Sequence, residues 1–120
     1  MENEIISNEF DQTVIINLVD TVDYVAGSVV IKSIFRKKTG TITVSAFDIG
    51  ETLMAKSSPF DNLIQIIDGK AEIIIEEKSN TVETGQAIII PAHARNRIKA
   101  NTQFKMLSTI IKSGYEDVSL

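Results

Sequence analysis

The sequence contains no cysteine and no tryptophan, two prolines, one histidine and few aromatics, five Phe and two Tyr in 120 residues. Without cysteine there is neither a disulfide framework nor a thiol nucleophile, a usage at home in the cytosol. The single histidine, His93, has no spacing around it that supports a Ser-His-Asp triad. Positive charge is scarce as well. A net charge of −4 argues against broad nucleic-acid binding, which needs a basic stripe to displace counterions. The only basic run, Arg36-Lys37-Lys38, precedes Thr39-Gly40 and reads as a solvated turn between two strands. No apolar run approaches membrane-spanning length, and the acidic start Met1-Glu2-Asn3-Glu4 lacks the features of a signal peptide. The expectation is a soluble cytoplasmic protein with no nucleic-acid and no membrane partner.

What is abundant is isoleucine, twenty residues in a chain that is 43% hydrophobic and 23% charged. Branching at Cβ packs well on a pleated surface and favours strand over helix. The length suits one domain with one core. Residues 1–12 read as an N-terminal arm or edge strand and residues 13–120 as the single domain. After a short strand at 13–16, apolar residues at helical offsets behind Asn17 predict one or two helical turns, broken by Gly27. Strands are then predicted at 29–35, 41–47, 52–56, 63–67, 71–77, 86–90, 97–99 and 104–112. Turn signals separate them at Lys38-Thr39-Gly40, Asp48-Ile49-Gly50, Ser58-Pro59, Asp68-Gly69, Lys78-Ser79-Asn80 and Asn101-Thr102. Short strands with such punctuation mean an all-β sandwich or barrel.

Glycine and proline spacing narrows this further. Gly50 and Gly69 bracket Lys56, Ser58 and Asn62, while Gly85 is followed six positions later by Pro91 and then by His93 and Asn96. These intervals resemble the two motifs of the cupin family, and the terminal run Phe104-Lys105-Met106-Leu107 resembles the last strand of the small single-domain cupins. The resemblance spans about residues 17–111 and implies a double-stranded β-helix, the RmlC-like jelly-roll barrel. In the family, the positions of Lys56, Ser58, Asn62 and Asn96 carry three His and a Glu that bind metal. Here all four are substituted. A charged ammonium has no lone pair to donate, and a hydroxyl and two carboxamides are weak ligands. The resemblance thus implies a cupin with no metal and no other cofactor.

Facing follows from alternation. Asp68-Gly69 reads as a type I′ hairpin turn, which would place Asn62, Ile64, Ile66, Ala71, Ile73 and Ile75 on one apolar face lining the barrel. Thr52, Met54, Lys56 and Ser58 would share another inward face, with a turn near Pro59 able to break the count at Ser58. Lys105 suggests that Phe104, Met106 and Ser108 point inward, leaving Leu107 and Ile111 on an outer face for burial against a second subunit. Small cupins are commonly dimers, and a homodimer is expected.

Three functions compete. The first is a metal-free module holding a small organic ligand, an anion included, among Met54, Lys56, Ser58, Asn62, Ile64, Asn96 and Met106. The second is a cofactor-independent isomerase, epimerase or lyase with Lys56 as the catalytic candidate, its amine desolvated to act as a base or to form an imine. Against this, Lys56 can equally snorkel to solvent or pair with Asp61 or Glu51. The third is a structural or interaction dimer with a vestigial pocket. His93 is read as a turn residue in left-handed conformation with its ring outside.

Overall fold

The computed structural model describes residues 4–7, 12–55 and 57–112. Within them, strands dominate: β1 Glu4–Ser7, β2 Val29–Lys37, β3 Gly40–Phe47, β4 Thr52–Ala55, β5 Asp61–Ile75, β6 Lys78–Glu83, β7 Ala87–Ile90, β8 Asn96–Lys99 and β9 Phe104–Ile111. The helical turn expected behind Asn17 is a single 3-10 turn, Leu18–Asp20, and Asn17 makes no side-chain cap bond to it. Pairing is antiparallel throughout except for β1, which runs parallel to β2.

The fold turns on β5. Its first half pairs with β9 on one side and β7 on the other, and its second half pairs with β8 and β6. One long strand therefore belongs to both sheets of a curled barrel. The expected hairpin at Asp68-Gly69 is not a turn; the strand runs straight through it, with a register shift between Ile66 and Asp68 and Gly69 at φ 81°. The bulge adds one residue and switches the inward side from even to odd positions. Ile64, Ile66, Ala71 and Ile73 accordingly all reach the core, at 1% exposure or less.

The true two-residue hairpin lies at Glu76-Glu77, between Ile75 and its partner Lys78, with both residues at positive φ, 48° and 69°. That is the backbone of a type I′ turn, filled by residues that carry a Cβ penalty there. Arg95 offsets it. The Glu76 N–H donates to the Arg95 carbonyl at 2.9 Å, and the Glu76 carboxylate accepts from the Arg95 N–H at 2.9 Å and from its Nε at 3.3 Å. These bonds hold the Glu76 carboxyl below the ordinary glutamate range, the backbone bond foremost.

Two apolar clusters result. The main core lies between the sheets and includes Val29, Phe47, Ile64, Ile66, Ile73, Ile98, Phe104 and Met106. A second cluster, Val22, Val44 and Ala46 with Leu18, Tyr24, Val30, Ile34, Ile67 and Leu107, covers the outer face of β2, β3 and β9. Leu107, expected to need a second subunit, is thus packed by the chain's own 18–24 segment, while Ile111 stays 51% exposed. The segment is clamped by polar bonds too. Buried Lys105 donates from Nζ to the Val19 carbonyl at 2.6 Å and stands 5.0 Å from the Tyr24 ring centroid, and the Tyr24 hydroxyl donates to Asp68 Oδ2 at 2.7 Å.

Burial, followed by the bond to Asp68 and its charge, pushes the Tyr24 phenol well above its ordinary value. The folded chain therefore keeps this proton at a pH where the unfolded chain releases it. Stability contributed this way is intact below the ordinary tyrosine value of 10.0 and is lost as pH rises above it. Urea titrations between about pH 8 and 11 should show a steeper alkaline loss for the wild type than for Tyr24→Phe. Equal slopes would contradict the placement of Tyr24.

Candidate functional site

Between the two sheets lies a cavity of about 310 Å³. Its floor and walls can be followed along cross-strand rows. At the closed end, Phe47 and Phe104 face each other across β3 and β9, fully buried, with ring centroids 4.5 Å apart and planes at 16°. One row outward come Ile31, Ser45 and Met106, then Thr43 and Ser108, and finally Arg36, Ile110 and Asn62. The opposite sheet supplies Leu53, Asn96 and Ile98, and the connecting segments supply Ser58, Phe60, Pro91 and Ala94. One wall thus carries hydroxyls and an amide, the other mostly aliphatic groups.

The loops at the mouth are tied together by backbone bonds. The His93 N–H donates to the Ser58 carbonyl at 2.6 Å, and the Ala92 N–H donates to Asp61 Oδ1 at 2.8 Å. His93 itself sits at φ 68° and is exposed, the turn role expected of it.

The residues singled out in the sequence divide as follows. Ser58, Asn62, Asn96 and Met106 all line the cavity. Ser58 Oγ accepts the Phe60 N–H at 3.2 Å, Asn62 Oδ1 accepts from Ser108 Oγ at 2.7 Å, and Asn96 Nδ2 donates to the Ala94 carbonyl at 3.2 Å. Ile64 faces inward but is fully buried in the core cluster and takes no place on the cavity wall, a correction to its reading as a ligand contact. Met54 needs a larger correction: its side chain is 74% exposed and lies outside the lumen, beside Arg95 and Arg97 on the outer surface. The reason is register. Met54 pairs with outward Arg97, and Leu53 with buried Ile98, so Leu53 rather than Met54 faces the cavity. The strand ends at Ala55, and the alternation counted back from Ser58 does not carry across that end. Lys56 lies outside the described residues.

Sequence reasoning missed Arg36, Phe60, Leu53 and the hydroxyl row. The basic run by itself gives Arg36 no role beyond a solvated turn. A bulge between Ser33 and Phe35 makes Ile34 the extra residue, and inward positions of β2 shift from Ile31 and Ser33 to Arg36. The Arg36 side chain thereby borders the cavity mouth while staying exposed. At the bulge, the buried Ser33 Oγ has no hydrogen-bond partner among the described residues. The signal for the bulge is faint: Ile34-Phe35 breaks the alternation of apolar and polar residues along the strand.

A metal of the cupin type requires imidazole nitrogens or carboxylates. Among the described residues no three of His, Cys, Asp or Glu come together. The described groups that the sequence spacing matches to the family's ligands, Ser58, Asn62 and Asn96, are one hydroxyl and two carboxamides, each already in an internal hydrogen bond. This donor set does not fit a divalent transition metal. No helix among the described residues is long and apolar enough to cross a membrane.

The architecture is that of a small jelly-roll barrel with a lumenal cavity, and comparison with known proteins gives the same class. No protein-family model and no curated protein matches the chain. Among solved structures, a conserved protein of unknown function from Streptococcus pyogenes is similar at 28% identity, over 88% of this chain and 92% of that one, with a TM-score of 0.82. A cupin 2 conserved barrel domain protein from Leptotrichia buccalis shares 30% identity over 81% of this chain and 47% of its own, TM-score 0.79. A cupin superfamily protein from Desulfitobacterium hafniense matches in fold, at 21% identity over 84% and 93% and a TM-score of 0.78. These likenesses show that the chain has the fold of the cupin barrels.

Proposed function

We propose that this cupin is a metal-free binding protein for a small organic molecule held in the lumen between its sheets. The observation that carries the reading is the cavity of about 310 Å³ with neutral, internally bonded groups at the family's ligand positions. Its size falls at the lower end of the range of roughly 300–1,000 Å³ typical of small-molecule sites, and its mix of apolar wall and few polar groups is the usual composition. The wall favours binding over proton-transfer chemistry. Among its described residues the only ionisable side chain is that of Arg36, a guanidinium. The enzymatic alternative rests on Lys56 alone.

Thermal-shift measurements against organic acids, sugars and nucleotides test this. A molecule at a hundred times its Kd stabilises the native state by about 2.7 kcal/mol, a rise of roughly 10 °C for a domain of this size. Leu53→Trp, which projects an indole into the lumen, should abolish the rise while the free protein keeps its fold. A rise that survives Leu53→Trp would place the site elsewhere, and no rise with any class would favour the structural role.

A further inference from the structure

We propose that the lumen selects a ring carrying a hydroxyl at its inner end, and that Ser45 is the residue that recognises this hydroxyl. The inference rests on the reading of the lumen as a binding site and adds the chemistry and orientation of the occupant.

The bottom of the cavity holds an unused polar group. Ser45 is only 2% exposed and lines the cavity wall, yet its hydroxyl makes no hydrogen bond among the described residues. A buried hydroxyl without a partner is costly. One that opens on a cavity is completed by whatever enters it. In the row of Ser45, Ile31 on β2 and Met106 on β9 are both apolar wall residues, and the stacked Phe47 and Phe104 rings close the floor one row below. Ser45 is therefore a lone hydrogen-bonding group set in an apolar slot.

The next row outward lies two residues along β3, about 7 Å away. It carries Thr43 and Ser108, with Asn62 beyond them. Ser108 Oγ donates to Asn62 Oδ1 at 2.7 Å, which orients the amide and leaves Asn62 Nδ2 without a partner among the described residues. The inner end of this wall thus offers a hydroxyl and the outer end an N–H donor, while Leu53 and Ile98 face them from the opposite sheet. A ring with its hydroxyl inward and a carbonyl or carboxylate oxygen outward matches that order. The volume of about 310 Å³ is at the small end for such sites and suits one ring with a short chain. A pocket that hydrogen-bonds a hydroxyl rejects the analogue lacking it, because the buried polar group is then left unpaired. Recognition at Ser45 is independent of the charge at the outer end of the molecule.

The test is calorimetric titration with 3-(4-hydroxyphenyl)propionate beside 3-phenylpropionate, and with the primary amides of both. In each charge state the phenol should bind ten or more times tighter than the compound without the hydroxyl. Ser45→Ala should bring each phenol to the level of its phenyl counterpart, and the phenyl compounds should bind this variant no more weakly than the wild type. The melting temperature of the free variant should be no lower, since the hydroxyl removed holds nothing within the protein. If phenol and phenyl compounds bind alike, if the preference persists in Ser45→Ala, or if that substitution lowers the melting temperature, the hydroxyl proposal is overturned while the lumen remains a binding site. If none of the four binds at millimolar concentration the hydroxyl proposal is again overturned, and the lumen reading is decided by the broader ligand panel and Leu53→Trp.

Discussion

Gly69→Ala should destabilise the protein by about 3 kcal/mol or more and lower its melting temperature by roughly 10 °C or more. Two costs add. At φ 81° an L-residue pays for left-handed backbone, about 1–2 kcal/mol. A Cβ at this site would also collide with the Gln103 carbonyl oxygen and come within 3.2 Å of Phe104 Cα and Cβ. Both neighbours are backbone or backbone-anchored, and neither can rotate aside. Gly50→Ala and Gly85→Ala isolate the first cost. These glycines sit at φ 88° and 87° with nothing within 4 Å of where a Cβ would stand, so each should lose only about 1 kcal/mol. Equal losses at the three sites in chemical denaturation would show that β5 and the 103–104 segment do not approach so closely.

Phe104→Ala should be the most damaging single truncation in the barrel, at about 3–5 kcal/mol. Phe104 has no solvent exposure, pairs across the ladder with both Phe47 and Gly69, and stacks on the Phe47 ring. Removing it leaves a void that the two flanking strands cannot close, because their register is fixed by ladder bonds on either side. A double-mutant cycle with Phe47→Ala should return a coupling of about 1 kcal/mol, the scale of a stacked aromatic pair. Additive losses would mean that the rings do not meet. Gly69→Ala and Phe104→Ala probe the same place, the floor on which the cavity stands.

Much of this floor is legible in the residues alone. The alternation of Asn62, Ile64 and Ile66 with the later set Ala71, Ile73 and Ile75 requires one change of parity between them, and the structure contains it. The pattern does not distinguish its cause. A two-residue turn and a one-residue bulge shift parity alike, and Asp-Gly suits both because glycine reaches positive φ freely. The real turn is hidden because Glu76-Glu77 carries no turn chemistry; Arg95, nineteen residues distant, supplies the bonds that hold it.

The candidate site shows the same division. Ser58, Asn62 and Asn96 are brought to one cavity as the spacing of Gly50, Gly69, Gly85 and Pro91 suggests. Met54 and Arg36 exchange places between inside and outside because each depends on a local break in strand alternation, the end of β4 at Ala55 in one case and the extra residue Ile34 in the other. A period of two locates a face reliably only within an unbroken ladder. Breaks are set by partner strands far away in sequence, and no local pattern records them.

The lumen is expected to hold an organic molecule rather than an ion, and a crystal structure of the protein soaked with 3-phenylpropionate tests that most directly. The predicted result is density for the probe between the sheets, with its ring against Leu53 and Ile98. A metal peak among Ser58, Asn62 and Asn96, or a lumen closed by its own side chains with the probe bound elsewhere, would contradict it.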